Sequence, residues 1–308
     1  MKKDMRIEVT KENHYRRLDK FLRNRLKEIP LSVVYKLIRK GKVYVNGRRV
    51  RDPGFDLEEG DVVEIKYVNL DNLPRRAEKK GLTPIPMKLN ILYENEHYLA
   101  LNKPPGVAIH PGKGVHVATL IEGLLYYGRE KDFEPFLVHR LDKDTSGLLI
   151  VAKNREAARI LSNMFRERRV EKEYITLVKG HPENNLKIIV PLDGQEAISE
   201  IVAVKPLKNL SLLRVRIYTG RKHQIRRHLA QIGFPVIGDN TYGDRQLNRE
   251  IRKKYGLKRI FLHSYRMNFI DPWFEEEREI KAPLTSDLRD VLEFLKERSD
   301  EWLEKFLS

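Results

Sequence analysis

The stretch Phe136-Leu137-Val138-His139-Arg140-Leu141-Asp142-Lys143-Asp144-Thr145-Ser146-Gly147-Leu148-Leu149-Ile150-Val151-Ala152-Lys153 sets two carboxylates, an imidazole, a guanidinium and two hydroxyls between apolar flanks. Its polar middle is turn-forming and its flanks are buried-strand material, which puts His139, Arg140, Asp142 and Asp144 at the rim of a sheet, where a rigid scaffold often holds catalytic groups. The chemistry such a set offers is that of a carboxylate. A tight turn capped by Asp144, Thr145 and Ser146 would by itself account for at least half of these residues. Ser146 with a His and an Asp invites a hydrolase reading, but no GxSxG nucleophile elbow is present. His139, His223 and His228 do not form a metal set: His223 and His228 are five apart rather than four, and no carboxylate completes a ligand group. Gly112-Lys113-Gly114 lacks the GxxxxGK[ST] pattern of a nucleoside-triphosphate loop.

His-Arg-Leu-Asp-x-Asp-Thr-Ser-Gly, unbroken from His139 to Gly147, resembles the signature of the RluA family of RNA pseudouridine synthases. The resemblance implies that Asp142 is the catalytic carboxylate. Two further segments agree with it in order and spacing. Leu101-Asn102-Lys103-Pro104-Pro105-Gly106-Val107-Ala108-Ile109-His110-Pro111 resembles the family's first motif, a rigid turn that shapes the cleft. Tyr218-Thr219-Gly220-Arg221-Lys222-His223-Gln224-Ile225-Arg226-Arg227-His228-Leu229, followed by Pro235-Val236-Ile237-Gly238-Asp239, resembles its third motif, in which Arg226 would pair with the catalytic Asp. An enclosed carboxylate drifts toward its neutral form, and a nearby guanidinium opposes that drift. Lys172-Glu173-Tyr174-Ile175-Thr176-Leu177-Val178-Lys179-Gly180 resembles the segment whose tyrosine, here Tyr174, packs against the target base. Arg140 would fill the space left by an everted base. The implied reaction needs neither cofactor nor metal.

Elements must hold these groups. In residues 90–308, strand-like runs at Tyr98-Leu99-Ala100-Leu101, Gly147 to Ala152, Glu173 to Val178, Leu212 to Tyr218 and Phe261 to Phe269 mix with helical patterns at Ala118 to Tyr127, Arg155 to Arg168, His223 to Ile232 and Ser286 to Phe306. Strands and crossover helices do not alternate regularly, so the fold class expected is α+β with a mixed, mainly antiparallel sheet, the pseudouridine synthase fold. Residues 1–66 read as a separate small α/β module. Leu18, Phe21, Leu22 and Leu26 stripe one helix, Ser32 to Lys40 forms a second, and Asn46-Gly47 turns a hairpin. Arg17-Leu18-Asp19-Lys20-Phe21-Leu22 and Lys36-Leu37-Ile38-Arg39-Lys40-Gly41-Lys42-Val43-Tyr44-Val45-Asn46-Gly47 resemble the S4-like RNA-binding domain. Arg16, Arg17, Lys36, Arg39, Lys40 and Lys42 would form its cationic face, while Asp19 is read as a helix-surface residue. Residues 67–89, with Pro74, Pro84 and Pro86, read as a linker.

Composition bounds the function classes. The 308 residues carry a formal net charge of +16, which points to a polyanionic partner. The first 66 hold 18 Lys or Arg against 11 Asp or Glu. The absence of cysteine removes disulfide frameworks, thiolate nucleophiles and thiolate zinc sites. No apolar leader and no run of about 18 apolar residues is seen, so a cytoplasmic protein without a membrane span is expected. Monomer is the default. The sequence thus predicts isomerisation of uridine to pseudouridine in RNA, with 23S (large-subunit) ribosomal RNA as the substrate that the N-terminal module and the signature together suggest; a catalytically idle RNA-binding or ribosome-assembly factor is the alternative.

Overall fold

The computed structural model describes residues 5–11, 17–66, 73, 82–111, 118–295, 303 and 306. The chain divides into two compact units, Met1–Gly81 and Leu82–Ser308.

In the first unit β1 (Met5–Glu8), α1 (Leu18–Arg25), α2 (Leu31–Arg39), β2 (Val43–Val45), β3 (Arg48–Val50) and β4 (Val62–Ile65) form two helices and an antiparallel sheet of order β1-β4-β2-β3. The apolar spacing of the helices explains their packing: Leu18, Phe21, Leu22, Val34 and Ile38 are fully buried against Val43, Val63 and Ile65. Pro30 precedes α2, and Gly41 (φ 65°) follows it. Asn46 and Gly47 both take positive φ, as a two-residue hairpin turn with right-handed strands requires. Asp19 is not the surface residue expected. It is 6% exposed and accepts hydrogen bonds from Arg17 Nε and Nη2 (both 3.1 Å), from the Tyr35 hydroxyl (2.9 Å) and from the Lys20 backbone (2.9 Å). Burial alone would raise its pKa, but these donors hold it below the ordinary carboxylate range.

The second unit contains β5 (Ile91–Glu94), β6 (Tyr98–Lys103), α3 (Leu120–Glu130), β7 (Phe136–Leu137), β8 (Ser146–Ala152), α4 (Arg155–Arg166), β9 (Glu171–Lys179), β10 (Leu186–Ile189), β11 (Ile198–Leu207), β12 (Leu210–Ile217), α5 (Gln224–Gln231), α6 (Arg245–Tyr255), β13 (Leu262–Ile270), β14 (Glu277–Lys281) and α7 (Ser286–Leu295). Its ten-stranded sheet has the order β10-β11-β12-β9-β13-β8-β6-β5, with β14 added to β13 and β7 to β8. Neighbours are antiparallel except β8 and β13. The mixed, mainly antiparallel sheet is the one expected.

Leu99, Leu149, Leu213 and Val215 bury against Leu120 and Leu124 of α3 and Ile225 and Leu229 of α5. Ile175, Leu177 and Leu212 bury against Ile251 of α6 and Leu288, Val291 and Leu292 of α7. Helix α6 escapes a periodicity reading because only Leu247, Ile251 and Tyr255 mark its apolar side. Its ends are nevertheless well defined: Asp244 accepts from the Gln246 and Leu247 backbones, and Gly256 (φ 74°) closes it. The segment read as a linker lies partly outside the described residues, and residues 82–89 belong to the second unit. There the Ile85 backbone donates to Glu122 (3.1 Å), and Met87 packs where a Cβ on Gly123 would stand. Of the C-terminal helix expected through Phe306, only α7 and residues 303 and 306 are described. Among the described residues no helix is long and apolar enough to cross a membrane.

The parallel junction positions the site. Ser146 and Gly147 at the start of β8 pair with His263 and Ser264 of β13. Gly147 has φ 109°, and a Cβ on it would stand 2.2 Å from the Ser264 carbonyl oxygen and 2.7 Å from its nitrogen. Neither backbone atom can move without opening the sheet. Gly147→Ala is therefore expected to lower the unfolding free energy by at least about 2 kcal/mol through strain and overpacking, read as a lower denaturant midpoint. An unchanged midpoint at unchanged denaturant slope would show the two strands to be further apart.

Candidate active site

Residues 138–145 form the loop between β7 and β8, and buried groups hold it from both sides. Lys103, fully buried at the end of β6, donates to the carbonyls of Pro104 (2.8 Å), Val107 (3.1 Å) and Lys143 (3.0 Å). Burial, with Arg259 adding to it, pushes the Lys103 ammonium down to about 7. On the other side Arg259 donates to the Asp144 carbonyl (3.2 Å) and the Ser146 hydroxyl (3.1 Å) while its Nε pairs with Asp287 (2.7 Å). His139 turns inward. Its Nε2 accepts from the Ile150 backbone (2.8 Å), its ring stacks on Phe165 at 4.4 Å, and burial drives its pKa down to about 3, so it is a neutral fastener. Ser146 is the first residue of β8 rather than a turn hydroxyl. Its Oγ lies 2.9 Å from His263 Nδ1, but both residues are fully buried, which leaves a hydrolytic pair no access to substrate.

This clamped loop presents Asp142 to a cleft. Arg226 Nη1 approaches Asp142 Oδ2 at 3.4 Å, and His223 Nε2 approaches the same oxygen at 3.7 Å. Among the described residues Oδ1 has no partner. Arg226 itself is held elsewhere: Nε and Nη2 make a two-pronged pair with Asp239 at 2.7 and 2.9 Å. The two carboxylates differ in access, the Asp142 side chain being 26% exposed and that of Asp239 1%, so Asp142 is the more open to the cleft. Burial alone would raise the pKa of Asp239, yet Arg226 and the backbone N–H groups of Tyr242 and Thr241 hold it below the ordinary range. Burial likewise opposes the charge on Arg226, and the Asp239 pairing outweighs it.

Helix α5 aims Arg226 because its start is fixed. His223 precedes it in the left-handed conformation (φ 54°), with Nδ1 3.1 Å from the Tyr242 hydroxyl. The Gln224 carbonyl oxygen accepts from Thr219 Oγ1 (2.7 Å) and the Arg221 backbone (3.0 Å), and its amide donates to Ile198 O (2.9 Å) and Ser199 Oγ (3.0 Å) of β11. His228 is spent on Ser199 and the Val190 carbonyl, away from His223.

Asp142, Tyr174, Arg226 and Arg140 all line one cavity of about 180 Å³ with Ile217 and Leu262. A larger one of about 830 Å³ adjoins it, with Asp142, Arg226 and Asp239 in its wall and Ile109 to Pro111 on its border. Tyr174, on β9, is 7% exposed, and burial, aided by the nearby Asp142, pushes its hydroxyl up to about 12. Arg140 is exposed at the rim.

The predicted cationic face of the first unit is less uniform. Lys36, Arg39 and Lys40 are exposed on or beside α2, three and four residues apart and so on one side. Lys42 is half-buried, Arg17 is committed to Asp19, and Arg16 lies outside the described residues. Reasoning from sequence assigned no part to Asp239, His223 or Tyr242. The signal available was the spacing Gly238-Asp239-x-x-Tyr242 after a buried strand-like run, which allows Asp239 to accept from residues 241 and 242.

Residues 97–231 match the family described as RNA pseudouridylate synthase, and residues 16–63 match the S4 domain. The chain is 40% identical over 304 residues to ribosomal large subunit pseudouridine synthase C of Vibrio cholerae, covering 93% of this chain and 95% of that protein. It is 37% identical over 309 residues to the Escherichia coli K12 protein of the same name, covering 94% and 96%. Among solved structures, human RNA pseudouridylate synthase domain containing 4 aligns with a TM-score of 0.56 at 24% identity over 67% of this chain and 92% of that one. Human RNA pseudouridylate synthase domain containing 1 aligns with a TM-score of 0.50 at 26% identity over 69% and 96%.

Asp239→Ala leaves the buried Arg226 charge without its main partner and is expected to cost about 3–5 kcal/mol in denaturant unfolding. Because the folded pKa of Asp239 is depressed, its contribution is present above about pH 4 and is lost as pH falls through the depressed value. The stability gap between wild type and Asp239→Asn should therefore close on acidification; a gap that stays constant from pH 7 to pH 3 would mean the pairing is not what stabilises the fold here.

Proposed function

The chain belongs to the RNA pseudouridylate synthase family and carries an S4 domain, and on that premise we propose that it isomerises uridine to pseudouridine in large-subunit ribosomal RNA with Asp142 as the catalytic carboxylate. The observation that carries the proposal is a partly exposed carboxylate in the wall of a cleft, Asp142, whose Oδ2 faces Arg226.

The reaction breaks the N1–C1′ bond, turns the uracil and joins C5 to C1′, with the C5 proton released to solvent and a proton taken up at N1. It is an isomerisation with no redox change and no group supplied from outside, so the chemistry calls for no cofactor. A stacked base cannot present these bonds, and eversion costs a few kcal/mol. In this reading Arg140, exposed at the rim, fills the vacated space. Tyr174 walls the base pocket, where stacking contributes about 1–3 kcal/mol. With its pKa pushed up to about 12, the Tyr174 hydroxyl stays protonated through the neutral range. Asp142 then works at the ribose, by attack on C1′ or by taking the 2′ proton. Arg226, anchored by Asp239, keeps the carboxylate facing that edge.

Release of tritium from C5-labelled uridine in a large-subunit ribosomal RNA transcript tests the assignment. Wild type should release label and Asp142→Ala should release essentially none while unfolding at the same denaturant concentration. Ordinary turnover by the variant would sink the role of Asp142, and a wild type that binds RNA but releases nothing would favour an idle binding factor.

We propose further that the exposed α2 face recruits RNA by charge. Replacing Lys36, Arg39 and Lys40 together with Ala is expected to flatten the slope of log affinity against log salt by about 2, from about 0.7 to 0.9 per phosphate contact, with turnover at saturating RNA unchanged. An unaltered slope would remove this face from the RNA path.

A further inference from the structure

Beside the base pocket lies a groove of about 420 Å³ whose wall includes Arg140, Arg166, Arg168, Lys172 and Arg221, and no carboxylate is among its lining residues. It shares Arg140, Tyr174 and Arg221 with the base pocket, so the two are continuous. Five cations around one concavity repel each other, and a bound anion relieves that repulsion.

The innermost of them is Lys172. It sits two residues before Tyr174 on β9 and points to the same side of the strand. It is 7% exposed, yet among the described residues its ammonium meets neither a carboxylate nor a hydrogen-bond acceptor. Its one close neighbour of opposite character is the Phe165 ring, with Nζ 5.9 Å from the centroid. Burial, reinforced by the charge of Arg168, pushes it down to about 8. The stem of Lys172 is buried while its ammonium opens on the groove, so the charge is held in place without a protein anion to balance it. Surrounding cations are already partly engaged: Arg168 pairs with Glu196, Arg166 donates to Asn163 (2.8 Å) and Arg221 to the Glu196 carbonyl (2.9 Å). Lys172 is left facing the groove.

We infer that this groove seats a phosphodiester of the RNA strand immediately flanking the everted nucleotide, with Lys172 as the cation that closes on it. The inference rests on the proposed reaction only for which nucleotide is flanked. The groove's chemistry, an unpaired ammonium in a wall that also holds four arginines, is that of a phosphate site in its own right. Lys172 is thus a positioning residue: it holds the flanking strand at the groove and so acts on affinity.

Lys172→Met keeps the stem and removes the charge, and Arg166→Gln removes a charge from the exposed side of the groove while keeping a polar end. Both are measured on full-length protein with a large-subunit ribosomal RNA transcript. Lys172→Met should weaken binding about tenfold, flatten the salt slope by about 0.7, raise KM while leaving kcat at saturation within about twofold, and leave the unfolding midpoint unchanged or higher. Lys172→Arg should restore most of the affinity, and Arg166→Gln should flatten the salt slope in the same direction. The proposal is overturned if Lys172→Met folds with wild-type affinity and slope, or if it loses kcat and stability with affinity intact, which would make the lysine a structural residue. Inorganic phosphate at high concentration should compete with RNA for wild type more strongly than for Lys172→Met; equal competition would likewise overturn it. If wild type releases no tritium but these binding differences persist, the reaction assignment fails and the groove stands.

Discussion

A single guanidinium held between two carboxylates is the constraint on which the cleft depends. Arg226 gives its two-pronged edge to the buried Asp239 and turns its remaining nitrogen toward Asp142. The division is unequal for a reason. Bonds of 2.7 and 2.9 Å fix the arginine, whereas a contact of 3.4 Å lies at the limit of hydrogen bonding and acts through charge more than through a tight bond. The result is a positive charge whose position is set by the scaffold and an acidic side chain that is oriented without being locked. Everything around the pair serves that arrangement: the left-handed residue before α5, the Gln224 contacts to β11, and the backbone donors that satisfy Asp239.

Much of this was legible in the chain, and what was not divides along a physical line. Strands β6 and β8 stand out as apolar runs buried on both faces, and β12 and β13 as apolar residues alternating with polar ones over part of their length. The loop carrying Asp142 stands out because polar residues interrupt two such runs. Helix α6 does not, since its apolar side is only three residues wide and its definition comes from capping at Asp244 and Gly256. Asp19 was misread for a related reason: a charged residue on an amphipathic helix is placed outside by pattern, while here Tyr35 and Arg17 provide donors that make burial tolerable. Partnerships between distant residues have no local signature. That Arg226 should face the segment around Asp142 came from resemblance, and that it should lean mainly on Asp239 came only from geometry.

The rim also shows why a basic chain need not be uniformly sticky. Several cations near the cleft are already balanced, Arg226 by Asp239, Arg259 by Asp287 and Arg227 by Asp193, and they act as fasteners. Net charge therefore overstates the charge available to a polyanion. Exposed cations outside these pairs include Lys36, Arg39 and Lys40 on or beside α2 and Arg140 and Arg166 in the groove beside Tyr174.

The parallel pairing of β8 with β13 has a consequence for how the molecule comes into being. Ser146 meets His263 and Asp144 meets Arg259 across 117 and 115 residues of chain. During synthesis the loop bearing Asp142 emerges and can zip onto β6 through a short-range antiparallel ladder, but its second wall is still unmade. Contacts so remote in sequence form late, after the entropy of closing the long intervening segment has been met. A nascent chain therefore displays the loop without its brace, and competence on RNA arrives as one of the last acts of folding, only after β13 has docked.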